Sequence, residues 1–278
     1  MPGDILRDPL SLFDVAGKVT VITGASGALG RAAAIALGAL GSRLLLVSGS
    51  ADGLASVAAE VKAAAEVKEA GGEVTTLACR PETEQDAAGI LAAAVAAYGQ
   101  VDSIFVASGL NKPAPIEDMP YTDWQAIMDA NVRGPWLMAK AFGQHLASEA
   151  AAGQPGRGKL VLVSSVRGRH GSPAGYSAYC TSKGAVDSLT KTLATEWGPR
   201  GINVNAIAPT VFRSALTEWI FADTDAGRAS RERNYARISM KRLGEPEDFI
   251  GIVLYLLSAA SDFVTGQVIY VDGGYTAA

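Results

Sequence analysis

The chain contains little cysteine and lacks any long hydrophobic run. Two cysteines, Cys79 and Cys180, occur among its 278 residues; they are too few for a disulfide framework, and they fit a reducing compartment. No segment approaches the ~18 apolar residues of a membrane-spanning helix. The first residues, which include Asp4, Arg7 and Asp8, lack the apolar core of a signal peptide. We therefore expect a cytoplasmic protein without a membrane partner.

Charge is also scarce, and basic residues are not in excess. Charged residues make up 19% of the chain, and the formal net charge is −4. Because nucleic-acid binding needs clustered Lys and Arg against the phosphates, we expect no nucleic-acid partner. The hydrophobic share of 49% and the 31 glycines are typical of a buried sheet with many tight turns.

Short β-branched runs alternate with longer alanine-rich stretches along the whole chain. Strands are predicted at 18–23, 43–48, 73–79, 101–107, 158–164, 201–208 and 267–271, and helices at 28–40, 53–70, 84–98, 122–149, 179–198, 214–236 and 246–258. The helix at 122–149 is expected to break near Asn131 to Pro135, because Gly134 and Pro135 are poor helix residues. This alternation predicts an α/β fold, a doubly wound parallel β-sheet flanked by helices on both faces.

No linker divides the chain, and its length suits one large domain. We therefore predict a single domain over residues 1–278, with an N-terminal arm at 1–12 and a substrate lid at about 210–240.

A glycine-rich turn follows the first predicted strand. The segment Thr23–Gly30 reads TGASGALG, and it lies between a strand and a helix at the edge of the sheet where ligands bind. Glycines at this place let backbone N–H groups and the helix N-terminus face a pyrophosphate. The alternative is an ordinary strand-to-helix loop whose glycines serve only its geometry.

A tyrosine and a lysine stand four positions apart at the start of a predicted helix. Tyr179 and Lys183 therefore lie on one helix face, where an ammonium group favours the phenolate and helps the tyrosine to exchange a proton. Alone, such a pair is most often two surface residues. Tyr176 is a rival acid, but Cys180 at its i+4 position offers no ammonium. Ser165 ends the preceding strand, and its hydroxyl could hold a substrate oxygen near the tyrosine.

From about Phe13 to Thr276, these motifs together resemble the short-chain dehydrogenase/reductase family. The resemblance implies a Rossmann-type fold, a homotetramer or homodimer, and reversible interconversion of a secondary alcohol and a ketone with NADP or NAD. Four residues match the family's catalytic set. Tyr179 would be the general acid/base, Lys183 would lower its pKa and bind the ribose hydroxyls, Ser165 would stabilise the developing oxyanion, and Asn131 would hold a proton-relay water.

The same resemblance places a larger group of residues around the cofactor. They are Gly24, Ser26, Gly27, Ala28, Leu29, Gly30, Ser48, Arg80, Pro81, Ala107, Ser108, Gly109, Tyr179, Lys183, Pro209, Phe212 and Ser214. The chain departs from the family pattern at three places: Ala28 replaces a glycine, Arg80 replaces an acidic residue, and the segment 106–109 keeps only the last residue of Asn-Asn-Ala-Gly. Ser165 also lies fourteen positions before Tyr179, slightly more than is usual. A protein that binds the cofactor without turnover is therefore one alternative.

The predicted second strand ends at Ser48 without the acidic residue that would bind a ribose 2′-hydroxyl and favour NAD. A neutral end leaves room for a 2′-phosphate, so the sequence favours NADP over NAD. Arg80 could reach the adenosine side, or it could be a solvated loop residue.

Two arginines are candidates for substrate binding together with Ser165. Arg167 follows the catalytic serine and Arg213 follows the nicotinamide-contact segment; a guanidinium suits bidentate binding of a carboxylate or phosphate. Alternatively, both point to water or to a neighbouring subunit. The segments 111–115, 123–124 and 243–248 are similar to gluconate 5-dehydrogenases, and also to 3-oxoacyl-carrier-protein reductases. We expect a small hydroxylated substrate, acidic or neutral, such as a sugar acid or polyol, with a carrier-bound ketoacyl group as the alternative.

Overall fold

The computed structural model describes residues 6–68 and 71–277, and all seven predicted strands are present. They are β1 (Val19–Thr23), β2 (Arg43–Ser48), β3 (Glu73–Ala78), β4 (Ser103–Val106), β5 (Lys159–Val163), β6 (Asn203–Pro209) and β7 (Val268–Val271). The helices are α1 (Ala28–Ala39), α2 (Ala51–Lys68), α3 (Glu84–Tyr98), α4 (Tyr121–Met128), α5 (Gly134–Ala151), α6 (Ser177–Trp197), α7 (Glu218–Phe221), α8 (Asp225–Arg237) and α9 (Ile250–Leu257). Of the predicted N-terminal arm, residues 1–5 lie outside the described part, and Pro9–Phe13 form a short 3-10 turn.

The strands form one sheet in the order β3-β2-β1-β4-β5-β6-β7, and every neighbouring pair is parallel. This confirms the predicted Rossmann-type fold. The order reverses between β1 and β4, and such a reversal leaves a crevice outside the carboxyl ends of the strands. Thr23 pairs with Val106 at that edge, so the turns after β1 and β4 meet at the crevice.

Both faces of the sheet are covered, because successive strand residues point to opposite sides. Val21 and Leu45 belong to a buried cluster with residues of α3, α5 and α6. Ile22 and Leu46 belong to a second cluster, on the side of α1, α2 and α9. Burial on both faces explains why the strands read as continuous apolar runs rather than as alternating ones.

The predicted break near Asn131 to Pro135 takes a different form in the structure. A single π-helical turn, Asp129–Arg133, joins α4 to α5, and the N–H of Gly134 donates to the carbonyl of Asp129. Pro135 has no N–H to donate, but it stands in the first turn of α5, where proline is tolerated. The helix therefore continues through this segment as one wider, π-helical turn and does not end there.

The prediction of one continuous lid helix at 214–236 was wrong. The structure divides it into α7 and α8, because the backbone of Ala222 is extended and Thr224 caps α8 by accepting a hydrogen bond from the N–H of Gly227. In the part of the chain that the structure describes, no helix combines the length and apolar character needed to cross a membrane. Cys79 and Cys180 are both free.

The close approach of the turns after β1 and β4 gives a stability prediction. Gly24 has φ of +69°, and a Cβ added there would lie 2.5 Å from the backbone nitrogen of Ser108. We expect Gly24→Ala to lower the free energy of unfolding by about 2 to 4 kcal/mol, through a disfavoured conformation and a backbone clash. Urea denaturation measures this change.

Gly89→Ala is the matched control. Gly89 is exposed on α3, where an added Cβ meets no atom within 4 Å, so the helix preference for alanine should stabilise the fold by up to about 1 kcal/mol. Equal effects of the two substitutions would contradict the proposed contact between the turns.

Candidate active site

The turn after β1 forms a backbone cradle. A Cβ at Gly30 would lie 2.4 Å from the carbonyl oxygen of Gly24, so both positions need glycine. Gly27 donates its N–H to the same oxygen at 2.9 Å and is the N-cap of α1. Because a glycine cap has no side chain, the first N–H groups of α1 are left for an anion, as a pyrophosphate requires. Ala28 and Leu29 begin α1, so the methyl group at Ala28 does not prevent this turn.

The end of β2 is built from neutral groups with an arginine beside them. The hydroxyl of Ser48 accepts hydrogen bonds from Ser26 Oγ at 2.9 Å and from the N–H of Ser50 at 3.1 Å. A Cβ at Gly49 would lie 2.4 Å from Nε of Arg80, so the Arg80 guanidinium lies against this strand end. Arg80 is exposed and forms no ion pair with a described residue. The arrangement therefore offers a cation where the second strand ends.

The predicted cofactor residues after β3 and β4 lie at the same edge of the sheet. Pro81 lies beside Gly134, since a Cβ there would be 3.7 Å from the proline ring. Ala107 donates its N–H to the carbonyl of Thr23 at 3.0 Å, and the Ser108 hydroxyl is 3.5 Å from that of Thr23. These contacts hold the loop after β4 against the turn after β1.

Gly109 and the segment after β6 lie close to the predicted catalytic residues. A Cβ at Gly109 would lie 3.7 Å from Nζ of Lys183. The carbonyl of Pro209 accepts a hydrogen bond from Ser165 Oγ at 3.5 Å. Phe212 is buried and packs on Gly244, and the Ser214 hydroxyl is 3.0 Å from Thr217 Oγ1. This segment therefore borders the crevice from the side of the lid.

Thr210 is absent from the predicted residues but belongs to this edge. Its Oγ1 is buried without a hydrogen-bond partner among the described residues, at the carboxyl end of β6. A buried polar atom without a partner is costly, and a bound polar group would remove that cost. In the sequence, its position directly after a predicted strand could have identified Thr210 as a site residue.

Tyr179 and Lys183 lie in the first two turns of α6, on one face as predicted. Nζ of Lys183 lies 5.7 Å from the centroid of the Tyr179 ring. Lys183 is only 3% exposed, and its ammonium donates to the carbonyl of Val163 at 2.8 Å. The hydrogen bond fixes the start of α6 on the end of β5, where Ser165 follows.

Burial dominates the titration of both residues. It raises the pKa of Tyr179 to about 12, against a lowering influence of the Ser165 hydroxyl and of the Arg167 charge. It lowers the pKa of Lys183 to about 8, while the charge of Asp187 raises it. Lys183 is not among the groups that shift the pKa of Tyr179 in this structure, where its ammonium donates to the carbonyl of Val163.

Asn131 lies in the π-helical turn and is completely buried. Its Oδ1 accepts from the N–H of Leu110 at 2.7 Å, and its Nδ2 donates to the Leu110 carbonyl at 2.8 Å and to Ser182 Oγ at 3.0 Å. The side chain thus ties the loop after β4 to the start of α6. It braces the loop in which the Asn pair of the family is missing.

Asp187 is a buried acidic residue outside the predicted set. The Ser164 hydroxyl donates to its Oδ1 and, at 3.4 Å, to the carbonyl of Lys183. Burial raises the pKa of Asp187, and a Cβ at Gly168 would lie 2.4 Å from its Oδ2. In the sequence, its spacing of one helical turn from Lys183 could have identified Asp187 as a neighbour of the site. The carboxyl group fixes the loop after β5 on α6.

The two arginines proposed for substrate binding differ in their surroundings. The backbone N–H of Arg167 donates to Ser165 Oγ at 3.1 Å, so this residue lies next to the predicted catalytic serine. Arg213 pairs with Glu245, with an Nε–Oε2 distance of 3.0 Å, and its guanidinium carbon lies 3.9 Å from the centroid of Phe221. The charge of Arg213 is thus compensated within the lid, which leaves Arg167 as the stronger candidate for contact with a substrate.

Sequence comparison finds relatives that match nearly the whole chain. The family model described as enoyl-(acyl carrier protein) reductase matches residues 24–276. An uncharacterized oxidoreductase of Mycobacterium tuberculosis is 52% identical, over 96% of this chain and 94% of that protein. A gluconate 5-dehydrogenase of Gluconobacter oxydans is 33% identical, over 95% of this chain and 97% of its own length.

Solved structures agree with the sequence relatives. A short-chain type dehydrogenase/reductase from Mycobacterium marinum has a TM-score of 0.84 at 31% identity, covering 97% of this chain and 99% of its own. A structure from Beutenbergia cavernae, described as an NAD(P)-dependent gluconate 5-dehydrogenase with NADP at low occupancy, has a TM-score of 0.83 at 32% identity, covering 96% and 100%. The chain belongs to the short-chain dehydrogenase/reductase family and is an NAD(P)-dependent dehydrogenase.

Proposed function

We propose that this dehydrogenase interconverts a secondary alcohol and a ketone, with Tyr179 as the group that exchanges the proton. The observation that carries the proposal is the meeting of Ser165, Tyr179 and Lys183 at the carboxyl ends of β5 and β6, beside the glycine-lined crevice. The same edge contains Gly109 and Thr210. A protein that only bound a cofactor would not need this proton-transfer set.

The chain's residues divide the work around the substrate. Ser165 and Tyr179 would hold the reacting oxygen, Tyr179 taking the hydroxyl proton during oxidation and returning it during reduction. Lys183 would place its ammonium between Tyr179 and the ribose hydroxyls, and Asn131 keeps the surrounding loop in place. The nicotinamide, when bound, supplies or accepts the hydride. The cradle at Gly24–Gly30 would hold its pyrophosphate.

NADP is the cofactor that the residues at the end of β2 favour. Ser48 and Gly49 bring no negative charge to this place, and Arg80 lies over Gly49 with an exposed guanidinium. A guanidinium suits a 2′-phosphate, whereas an acidic residue would repel one. The bound NADP in the relative from Beutenbergia cavernae supports the same choice.

A small hydroxylated molecule, such as a sugar acid or polyol, is the proposed substrate class. The gluconate 5-dehydrogenase among the relatives supports this class. A cavity of about 380 Å³ lies next to the start of α6, lined by Tyr176 and Cys180 but not by Ser165 or Tyr179. The family description as an acyl-carrier-protein reductase favours a carrier-bound substrate as a second candidate. Assays with both substrate types separate the two.

We also propose a cytoplasmic location and a homotetramer or homodimer. Trp136 on α5 is 46% exposed in the single chain, and a large aromatic side chain of this kind suits an interface between subunits.

The role of Tyr179 predicts a loss of turnover without a loss of binding. Tyr179→Phe should lower kcat/KM by about 100- to 10,000-fold, because it removes the acid/base group, and it should leave the Kd of the cofactor within threefold of wild type. Tyr176→Phe tests the rival acid and should retain activity. Wild-type protein that binds cofactor but oxidises no alcohol in a panel of polyols and sugar acids would refute the proposal.

The environment of Lys183 predicts a pH dependence of stability. Its pKa falls from 10.5 to about 8 on folding, so the unfolded chain binds more protons between these values and stability rises with pH from 8 to 10. Lys183→Met should lack this rise, which amounts to about 2 kcal/mol between pH 8 and 10. Urea denaturation at the two pH values measures the difference, and equal slopes for both proteins would contradict the assignment.

The position of Arg80 at the end of β2 predicts a preference for NADPH over NADH. Arg80→Ala should weaken NADPH binding about 10- to 100-fold, because a charged hydrogen bond is lost, and should leave NADH binding nearly unchanged. Arg43→Ala, at the opposite end of β2 and paired there with Glu73, is the control. Fluorescence titration measures the six dissociation constants, for NADPH and NADH with wild type and each variant. Equal losses for both cofactors would show that Arg80 does not contact the 2′-phosphate.

A further inference from the structure

Two arginines lie on one buried tyrosine near the catalytic residues, and proton transfer uses neither of them. The guanidinium carbon of Arg167 is 5.6 Å from the centroid of the Tyr275 ring, and that of Arg237 is 4.3 Å from it. Tyr275 itself is only 2% exposed. The loop after β5, the end of α8 and the segment after β7 thus meet at one ring, which orients both cations.

The charges of this pair are not compensated within the described chain. Three arginines in or next to the lid have carboxylate partners: Arg213 pairs with Glu245, Arg228 with Asp223, and Arg242 with Asp248. Arg167 and Arg237 form no such ion pair with any described residue, and the Arg167 guanidinium donates to the carbonyl of Gly171, at 2.8 Å. Two like charges near one ring repel each other, so an anion placed between them would be stabilised.

A third polar group lies at the same ring. The ring centroid of His170 is 6.3 Å from that of Tyr275, in an edge-on arrangement. Its Nε2 is buried and has no hydrogen-bond partner within residues 6–68 and 71–277. A buried nitrogen without a partner is costly, and a ligand oxygen at this place would satisfy it.

The cluster is close to the reacting groups. Arg167 follows Ser165 by two residues and donates its N–H to the serine Oγ at 3.1 Å, and its charge lowers the pKa of Tyr179. We infer that Arg167 and Arg237, oriented by Tyr275, bind the carboxylate of an acidic substrate whose hydroxyl group reacts at Ser165 and Tyr179. This inference rests on the proposed function and assigns the acidic form of its substrate class to particular residues.

The surroundings of Arg167 favour a small acid over an acidic carrier protein. Arg167 is only partly exposed, whereas Arg169, two residues further on, is exposed over the ring of Tyr270, with its guanidinium carbon 5.9 Å from the centroid. A protein surface that docks at this loop would use the exposed Arg169 as well. Arg237 is exposed as well, but it lies on the same Tyr275 ring as Arg167, whereas Arg169 lies on Tyr270. A small carboxylate would use only the two arginines at Tyr275.

Matched pairs of acids and neutral polyols test the inference. D-gluconate and D-sorbitol differ only in a carboxylate against a hydroxymethyl group, as do D-galactonate and galactitol. Each is added to the NADP complex of the wild type and of Arg167→Gln, Arg237→Gln and Arg169→Gln. Thermal stabilisation reports binding, and initial rates report turnover.

We expect at least one acid to bind the wild type at least tenfold more tightly than its polyol. Arg167→Gln and Arg237→Gln should each raise the Kd and KM of that acid about 10- to 100-fold, as the loss of a charged contact does. The Kd of the polyols should stay within threefold of wild type in every variant, because a polyol offers no carboxylate, and Arg169→Gln should bind both acids as wild type does.

Other results overturn the inference. Equal binding of acid and polyol in both pairs would show that no carboxylate is recognised, and so would the absence of binding by either acid. An equal loss in Arg169→Gln would indicate a docking surface for an acidic protein. Failure of the proposed function has a different signature: an acid then binds in a manner dependent on Arg167 and Arg237, yet wild type and Tyr179→Phe are equally inactive.

Discussion

The buried ammonium of Lys183 is the group on which the arrangement of the site depends. An ammonium removed from water needs hydrogen-bond acceptors, and the carbonyl of Val163 at the end of β5 provides one at 2.8 Å. This contact fixes α6 on the sheet and thereby places Tyr179 beside Ser165. Because burial brings the pKa of Lys183 to about 8, this ammonium loses its proton at a lower pH than a solvated lysine does.

Buried polar contacts between separate elements keep Lys183 and Tyr179 in this position. Asn131 connects the loop after β4 with Ser182 on α6, and Asp187 connects α6 with Ser164. The π-helical turn between α4 and α5 contains Asn131 and lies where the helix passes the loop after β4, so it allows the first contact. Such turns occur often at functional sites. Both contacts use fully or largely buried groups, so the loss of one partner would leave the other without a hydrogen bond.

The sequence could predict features that depend on short spacing. Alternating apolar strands and helices predicted the seven-stranded parallel sheet, and the spacing of Tyr179 and Lys183 predicted their common helix face. The direction of the Lys183 ammonium could not be predicted, because it depends on the end of β5 packing beneath α6. The two-part lid was missed for a related reason: the polar segment at 222–224 gave no strong break signal, although Thr224 is a capping residue.

Arg167, Arg237 and Tyr275 show why recognition of a substrate is harder to predict than its chemistry. They come from three segments far apart in the chain, and only the packing of the last strand against the lid brings them together. The residues proposed for proton transfer, in contrast, lie directly after β5 and on α6, which the Lys183 contact holds together. Changes in α8 or after β7 can therefore alter the charge around the substrate while Ser165 and Tyr179 keep their positions. This separation of the two groups of residues explains how relatives can share one reaction and yet act on different substrates.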